Sequence, residues 1–282
     1  MYKRQSLSML IVSLIISGTI YLQMGLYLMS IIAGWDIGHN LVVVCHSWMK
    51  NIGLSSLEYV LDAFVIYTLL FSIWKIGSQF YHASRMKKRF KQYEENTLTT
   101  EMNQTYSDGK DGFIVISHPS PIAITMGFVR PKIVLSTGLI SLLNDDELNA
   151  VISHEMYHQK NRDPLTIFLM SLCSSTMGYI PILKWFNQKY SIIKELSADE
   201  YAIEKQQTSV NLGSALLKML KVCKHEKMPF VYASFADTSV NYRIDYILNP
   251  LKGIQIKLPV KVMLLSVTIF CFICALFIYA LA

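Results

Sequence analysis

Asn144-Asp-Asp-Glu-Leu-Asn-Ala-Val-Ile-Ser-His-Glu-Met-Tyr-His158 is the stretch from which the rest of the chain can be read. It opens on a capping-box pattern, with Asn144 as N-cap and Glu147 three residues on, so a helix is expected to start there. Leu148, Val151 and Ile152 follow at helical spacing and supply an apolar face. His154-Glu155-Met-Tyr-His158 then forms an HExxH motif. Residues four apart share one face of a helix, so both imidazoles can reach a single zinc ion. Glu155, next to the first histidine, can take a proton from the water that such an ion activates and pass it to a leaving amine. At ordinary residue frequencies a chance HExxH turns up in roughly one chain in a hundred of this length, so the motif needs support.

Support comes from Glu195-Leu-Ser-Ala-Asp199. On a helix this ExxxD spacing puts both carboxylates on one face. Glu195 is then the candidate third metal ligand, leaving a fourth position open as catalytic zinc requires. Asp199 can accept the free N–H of a metal-bound histidine, His154, and fix its tautomer. The bland alternative, a solvated helix face, has less weight beside an HExxH on a capped helix.

Upstream of the motif helix, Phe113-Ile-Val-Ile-Ser117, Ile122-Ala-Ile-Thr-Met126 and Lys132-Ile-Val-Leu-Ser136 are short β-rich runs. Pro119, Pro121, Gly127 and Pro131 punctuate them, and a small antiparallel sheet is expected. The polar segment Gln92 to Lys110 reads as a linker or mobile loop. If Lys132 to Ser136 is an exposed edge, an extended substrate could add to it as a further strand.

The surrounding composition is that of a membrane protein. Apolar residues make up 52% of the 282 and charged residues only 16%, against roughly a quarter charged in soluble domains. Four apolar regions frame the chain, near Leu7–Ile32, Leu57–Ile76, Pro164–Ile182 and Leu258–Ala282. The first is too long for a signal-peptide core and long enough to span a bilayer. Lys3 and Arg4 before it, and Arg85, Lys87, Lys88, Arg89 and Lys91 after the second, put both basic flanks in the cytoplasm. The net charge of +6 therefore reads as membrane orientation, and no direct nucleic-acid binding is expected. Asp62 reads as an interface acid. The cysteines Cys45, Cys173, Cys223, Cys271 and Cys274 form no CxxC motif and read as small buried hydrophobes.

Taken together, these segments resemble the BlaR/MecR-type membrane metallopeptidases, which are gluzincins. The resemblance runs through Gly127-Phe-Val-Arg-Pro-Lys-Ile-Val134, Asp146-Glu-Leu148, the HExxH, Arg162-Asp163, Trp185-Phe-Asn187, Glu195-Leu-Ser-Ala-Asp-Glu200, Asn211-Leu-Gly-Ser-Ala-Leu-Leu217 and Arg243-Ile244, over about residues 110 to 250. It implies a zinc endopeptidase with Glu155 as catalytic base and His154, His158 and Glu195 as zinc ligands. It also implies a cytosolic transcriptional repressor as protein substrate, with the enzyme itself a possible further target. Sensor-transducers of the family carry an extracellular penicillin-binding domain after the last helix, whereas this chain stops at Ala282, so a β-lactam is not expected to be its signal. Ser136-Thr137 also stands where the family pattern has a proline.

His154 and Glu195 must share one side of the membrane, yet the apolar run Pro164 to Ile182 lies between them. Two complete crossings need roughly forty residues, and only 36 separate His158 from Glu195. A re-entrant helical hairpin bending near Gly178-Tyr-Ile-Pro181 meets both limits. The expected fold is thus an α+β membrane protein, mainly helical, with three spanning helices, a re-entrant hairpin, and a small antiparallel sheet beside the HExxH helix. Its expected organisation is an N-terminal membrane region over 1–86, a cytoplasmic-face zinc metallopeptidase domain over 87–257 that includes the hairpin 164–194, and a C-terminal transmembrane helix over 258–282.

Other residues weigh less. His118, His82 and His225 are candidates for extra ligands or transition-state donors, with His118, after a strand and before a proline, read as a loop histidine, and His39 and His46 fall on the outer side. Arg243 and Tyr201 are candidate donors to a tetrahedral oxyanion, with no spacing rule selecting either. Two rival functions remain: membrane-protein quality control or peptide maturation, as in CAAX-type and HtpX-type enzymes, and a non-catalytic transducer with structural zinc. Glu155 argues against the second, because a structural site has no use for that base.

Overall fold

The computed structural model describes residues 2–33, 58–223, 233–249 and 258–281. Its helices are α1 (Tyr2–Ala33), α2 (Glu58–Gln92), α3 (Asn96–Ser107), α4 (Thr137–Leu142), α5 (Asp145–Asn161), α6 (Asp163–Thr176), α7 (Pro181–Gln206), α8 (Val210–Cys223), α9 (Ala233–Leu248) and α10 (Val260–Leu281). Between α3 and α4 lie the strands β1 (Phe113–Ile116), β2 (Ala123–Met126) and β3 (Lys132–Ser136). The fold is mainly helical with a small sheet. His39, His46, Cys45 and His225, and the loop from Asp36 to Ser56, lie outside the described residues, as do the side chains of Asp62, Cys223 and Cys274.

The chain divides into two compact units. The first comprises Met1–Ser6, Phe80–Phe168 and Lys189–Ile256, and the second Leu7–Gln79, Leu169–Gln188 and Lys257–Ala282.

The sheet at the centre of the first unit has strand order β1-β3-β2. It is mixed, which corrects the antiparallel expectation: β2 runs antiparallel to β3, but β1 pairs with β3 in parallel. The reason lies in the segment after β1. Pro119 and Pro121 have no N–H to give a ladder, so the chain passes over the end of β3 instead of turning back beside β1. Ser136 organises that crossing, its Oγ donating to Ser120 O at 2.8 Å and accepting from the amides of Ile122 and Leu139. Gly138 allows the close approach, because a Cβ there would stand 2.0 Å from the Pro119 carbonyl oxygen. The serine in place of proline thus serves as N-cap of α4.

β3 is consequently the central, buried strand and offers no edge to a substrate. β2 is the edge, with β3 its only strand partner among the described residues. Both faces of the sheet are apolar, as strands buried on both sides require. Phe113, Val115, Ile133 and Leu135 pack with Leu148, Val151 and Ile152 of α5. Ile114, Ile116 and Val134 pack with Phe90 of α2.

The polar stretch after α2 is a helix, α3, where a loop was expected. Leu98, Met102 and Tyr106 join the core at i, i+4 spacing. The polar residues between them bind β1: Thr99 Oγ1 accepts from the Val115 amide, and Asn103 Oδ1 accepts from those of Gly112 and Phe113. A polar helix survives here because its hydrogen-bonding groups complete the edge of a strand.

Among the described residues one helix, at Arg4–Gly25, is long and apolar enough to cross a membrane, and Val260–Ile269 is a shorter apolar stretch. Three spans were expected; the second and fourth apolar runs include side chains outside the described residues. Leu7, Ile15, Leu22, Leu70, Ile73 and Trp74 are exposed. Inside the second unit, Tyr21 Oη donates to Thr176 Oγ1 at 2.6 Å, and Lys75 Nζ donates to the Ser171 carbonyl at 3.0 Å. Cys173 is buried, whereas Cys271 is exposed, so the second does not fit the buried-hydrophobe reading.

The capping box at the start of α5 forms with both of its hydrogen bonds. Glu147 does more than cap. It is 3% exposed, and its carboxylate accepts from Ser214 and Lys218 of α8 at 2.6 and 2.7 Å. Burial alone would push this carboxyl up, but the Lys218 and Ser214 hydrogen bonds, the Asn144 amide and the Lys218 charge hold it down at about 2. A depressed carboxyl adds stability above its unfolded value of roughly 4.3, and that contribution disappears as pH falls toward the folded value. Glu147→Gln is therefore expected to destabilise the first unit by on the order of 2–3 kcal/mol at pH 7. Thermal melts from pH 7 to pH 2.5 should show the gap between variant and wild type closing below about pH 4.5; a constant gap would refute this account.

Candidate metal centre

α5 carries the two histidines. His154 and His158, one helical turn apart, present their Nε2 atoms to each other at 3.1 Å, with ring centroids 4.8 Å apart. α6 and α7 deliver the third donor. α6 ends at Thr176 and α7 begins at Pro181, so the helical hairpin bends where the glycine and proline predicted. Lys194 of α7 returns to Asp163, the first residue of α6, at 2.7 Å. One residue later, Glu195 places Oε2 3.5 Å from His154 Nε2 and Oε1 3.5 Å from His158 Nε2. The candidate ligand atoms of His154, His158 and Glu195 all lie within 4.8 Å of one another.

Each histidine is held from behind by an aspartate. Nδ1 of His154 lies 2.8 Å from Asp199 Oδ1, and Nδ1 of His158 lies 2.8 Å from Asp163 Oδ2. Asp199 and Asp163 are 0% and 1% exposed. Two buried carboxylates on the Nδ1 positions keep the protons there and turn both Nε2 lone pairs inward. Each aspartate in turn has a cation. Arg243 of α9 grips Asp199 with two parallel bonds of 2.8 Å, from Nε and Nη2, and its Nη1 stands 3.3 Å from Glu195 Oε2. Lys194 forms a single ion pair with Asp163, Nζ to Oδ1 at 2.7 Å.

Glu155 is 7% exposed and stands outside this donor set. Thr125 of the edge strand β2 donates its Oγ1–H to Glu155 Oε2 at 2.7 Å, with the Glu155 carbonyl oxygen 3.0 Å away. The carboxylate next to the histidine pair is thereby oriented by the sheet.

The electrostatics call for positive charge among these side chains. Burial and the Arg243 charge work against protonation of His154, yet the Asp199 and Glu195 carboxylates hold its imidazolium up at about 9. Burial would raise Glu195, but the histidines and Arg243 bring it well below the usual carboxylate range, and Arg243 and His154 do the same to Asp199. The residues fit a divalent ion on two counts. Atoms about 2.0–2.2 Å from one tetrahedral zinc stand roughly 3.3–3.5 Å apart, close to the separations observed. Four carboxylates (Glu155, Asp163, Glu195 and Asp199) against two cations (Lys194 and Arg243) leave a charge of −2, which a divalent ion cancels.

Some of these roles were invisible from spacing alone. Asp163 follows His158 by five residues, out of helical phase. Arg162 between them adopts φ 51° and ends α5, and that sharp reversal brings Asp163 back beneath His158. No spacing rule gives Arg243 a place behind Asp199, and Lys194 and Thr125 carry no motif. Of the residues set aside, His118 Nδ1 accepts from the Ser120 amide in a loop, and Tyr201 lies against Tyr157.

A constellation of this kind, on a capped helix beside a small sheet, is that of a metallopeptidase site. The chain belongs to the BlaR1 peptidase M56 family of membrane metallopeptidases, whose model matches residues 42–247. It is 28% identical over 113 residues to the regulatory protein BlaR1 of Bacillus licheniformis, covering 38% of this chain and 19% of that one. It is 40% identical over 73 residues to a protease HtpX homolog of Caldanaerobacter subterraneus, covering 25% of this chain and 23% of the relative. With a protease HtpX homolog of Salinibacter ruber it shares 26% identity over 149 residues, 43% of this chain and 50% of that protein. The chain thus spans between about a fifth and half of the length of these relatives.

The purified chain is expected to bind about one zinc ion, and Glu195→Gln or His154→Ala to abolish that stoichiometric binding. Asp199→Asn should weaken it by about 10–100-fold. Competition against a chromogenic chelator measures both, and undiminished zinc in Glu195→Gln would remove Glu195 from the ligand set.

Proposed function

We propose that this protein is a zinc endopeptidase of a bacterial cytoplasmic membrane, cutting a regulatory protein such as a cytosolic transcriptional repressor at the cytoplasmic face. The observation that carries the reading is Glu155, a buried carboxylate placed beside the metal donors and not among them. A structural metal site has no use for such a group, whereas hydrolysis needs one.

A zinc ion held by His154, His158 and Glu195 would polarise the scissile carbonyl and make water nucleophilic near neutral pH. Glu155 accepts the proton of the attacking water and delivers it to the departing amine. Thr125 keeps the carboxylate turned toward that task through Oε2. Asp163 and Asp199 hold the two imidazoles in the tautomer that leaves Nε2 free. The apolar span at Arg4–Gly25 and the basic runs flanking the first two apolar regions support a multi-pass protein with its site on the cytoplasmic side. The regulatory name of the BlaR1 relative supports a signalling substrate. Matches to protease HtpX homologs favour a second reading, a membrane protease of broader substrate range.

Wild type and Glu155→Ala should be expressed in a bacterial membrane, their zinc contents matched, and cellular protein termini compared. New termini in wild type alone are expected, with a repressor among the cut proteins; many unrelated membrane proteins would favour the second reading. Identical termini with zinc bound in both would overturn the peptidase assignment.

Thr125→Val should slow turnover of the substrate so identified about tenfold with zinc content unchanged, from the loss of one charged hydrogen bond. Thr125→Ser should restore it. Equal rates in Thr125→Val and wild type would show that Thr125 does not orient the base.

A further inference from the structure

Behind each candidate histidine ligand stands the same three-part chain: imidazole, buried aspartate, cation. His158 Nδ1 meets Asp163 Oδ2 at 2.8 Å, and Asp163 Oδ1 meets Lys194 Nζ at 2.7 Å. His154 Nδ1 meets Asp199 Oδ1 at 2.8 Å, and Asp199 takes two bonds from Arg243. We infer that Lys194 and Arg243 are positioning residues for the metal: each locks the aspartate that aims one histidine, and together they set how long the ion is retained. This deepens the reading of His154, His158 and Glu195 as metal ligands and rests on it.

The argument begins with the freedom of an aspartate side chain. Asp163 is 1% exposed and has one oxygen on His158. With its other oxygen unpartnered, it would bear the cost of a buried unsatisfied acceptor, about 1–3 kcal/mol. It would also be free to turn away from His158 or toward a nearby divalent ion. Lys194 restricts that freedom through its ion pair with the far oxygen at 2.7 Å. The lysine is itself held, its ammonium 5.4 Å from the Tyr190 ring centroid and its side chain 11% exposed. Arg243 acts more rigidly, because two parallel bonds fix the plane of the Asp199 carboxylate as well as its position. Its additional contact with Glu195 makes it the less selective probe, so Lys194 is the cleaner test.

Lys194 and Asp163 also stand at the two feet of the helical hairpin, on α7 and at the start of α6. The bond that aims His158 is therefore the one that closes the hairpin, next to Glu195. A simple electrostatic role predicts the opposite outcome: a cation near a divalent ion repels it, and its removal should tighten binding.

The test uses the zinc-loaded full chain in detergent, comparing wild type, Lys194→Met, Lys194→Arg and, as a control for lost surface charge, the exposed Lys160→Met. The rate of zinc transfer to a chromogenic chelator is the primary readout. Lys194→Met is expected to lose zinc about 10–100-fold faster than wild type, Lys194→Arg within about threefold, and Lys160→Met at the wild-type rate. Nitrogen-15 spectra of labelled histidines provide a signature that general destabilisation does not: Lys194→Met should perturb His158 more than His154, and Arg243→Lys should perturb His154 more than His158. Arg243→Lys also carries the test if Lys194→Met does not fold. Zinc loss from Lys194→Met at or below the wild-type rate, or equal perturbation of both histidines, overturns the inference. A wild-type chain that binds no zinc overturns the metal reading beneath it, a distinct result.

Discussion

Glu195 must stand within a few ångströms of two imidazoles that precede it by 37 and 41 residues, with an apolar run in between. Much of the architecture answers that demand. A chain that crossed an apolar layer once would leave the carboxylate on the wrong side, and two full crossings would use more residues than are available. Fourteen residues of α6, a turn at Gly178–Ile180 and the first half of α7 supply a hairpin of the right length. Its return is registered by the Lys194–Asp163 bond, so the hairpin and the His158 support are one interaction.

The second demand is electrostatic. Asp163, Asp199 and Glu155, at 0–7% exposure, and the less buried Glu195 beside them are carboxylates that are costly unless each has a partner. Here two are neutralised by Arg243 and Lys194, and the remaining charge matches a divalent ion. The same constellation keeps His154 protonated up to about 9 when no ion competes. Metal and proton therefore claim the same place, and uptake of one must expel the other.

Rigid support comes from the sheet and from Glu147. The strands are apolar on both faces because α5 covers one and the end of α2 the other. α5 is anchored at its first turn to α8 through Ser214 and Lys218, and its Ala150 packs with Ala202, Leu212 and Ile247 from α7, α8 and α9. The helix that carries both histidines is thus fixed at its start and along its apolar side before it reaches the site. β2, at the sheet edge, spends one hydroxyl on Glu155.

Local chemistry was legible in the sequence: the capping box, the i, i+4 spacings of His154 with His158 and of Glu195 with Asp199, and the bend before Pro181. Each depends on residues within a turn or two of one another, so helical periodicity suffices to read it. Strand direction was not legible, because the β1–β3 pairing depends on where the Pro119–Pro121 segment crosses, and Ser136 and Gly138 decide that at a distance. Nor was α3, whose polar residues make sense only against β1. Arg243, Lys194 and Thr125 carry no motif; each earns its place by meeting a carboxylate on another element. What the sequence determined by itself was the candidate metal donors and the length of chain that must return to them. What only the tertiary structure decided was which charges stand behind those donors, since a buried ion pair is a relation between distant residues and leaves no periodic trace.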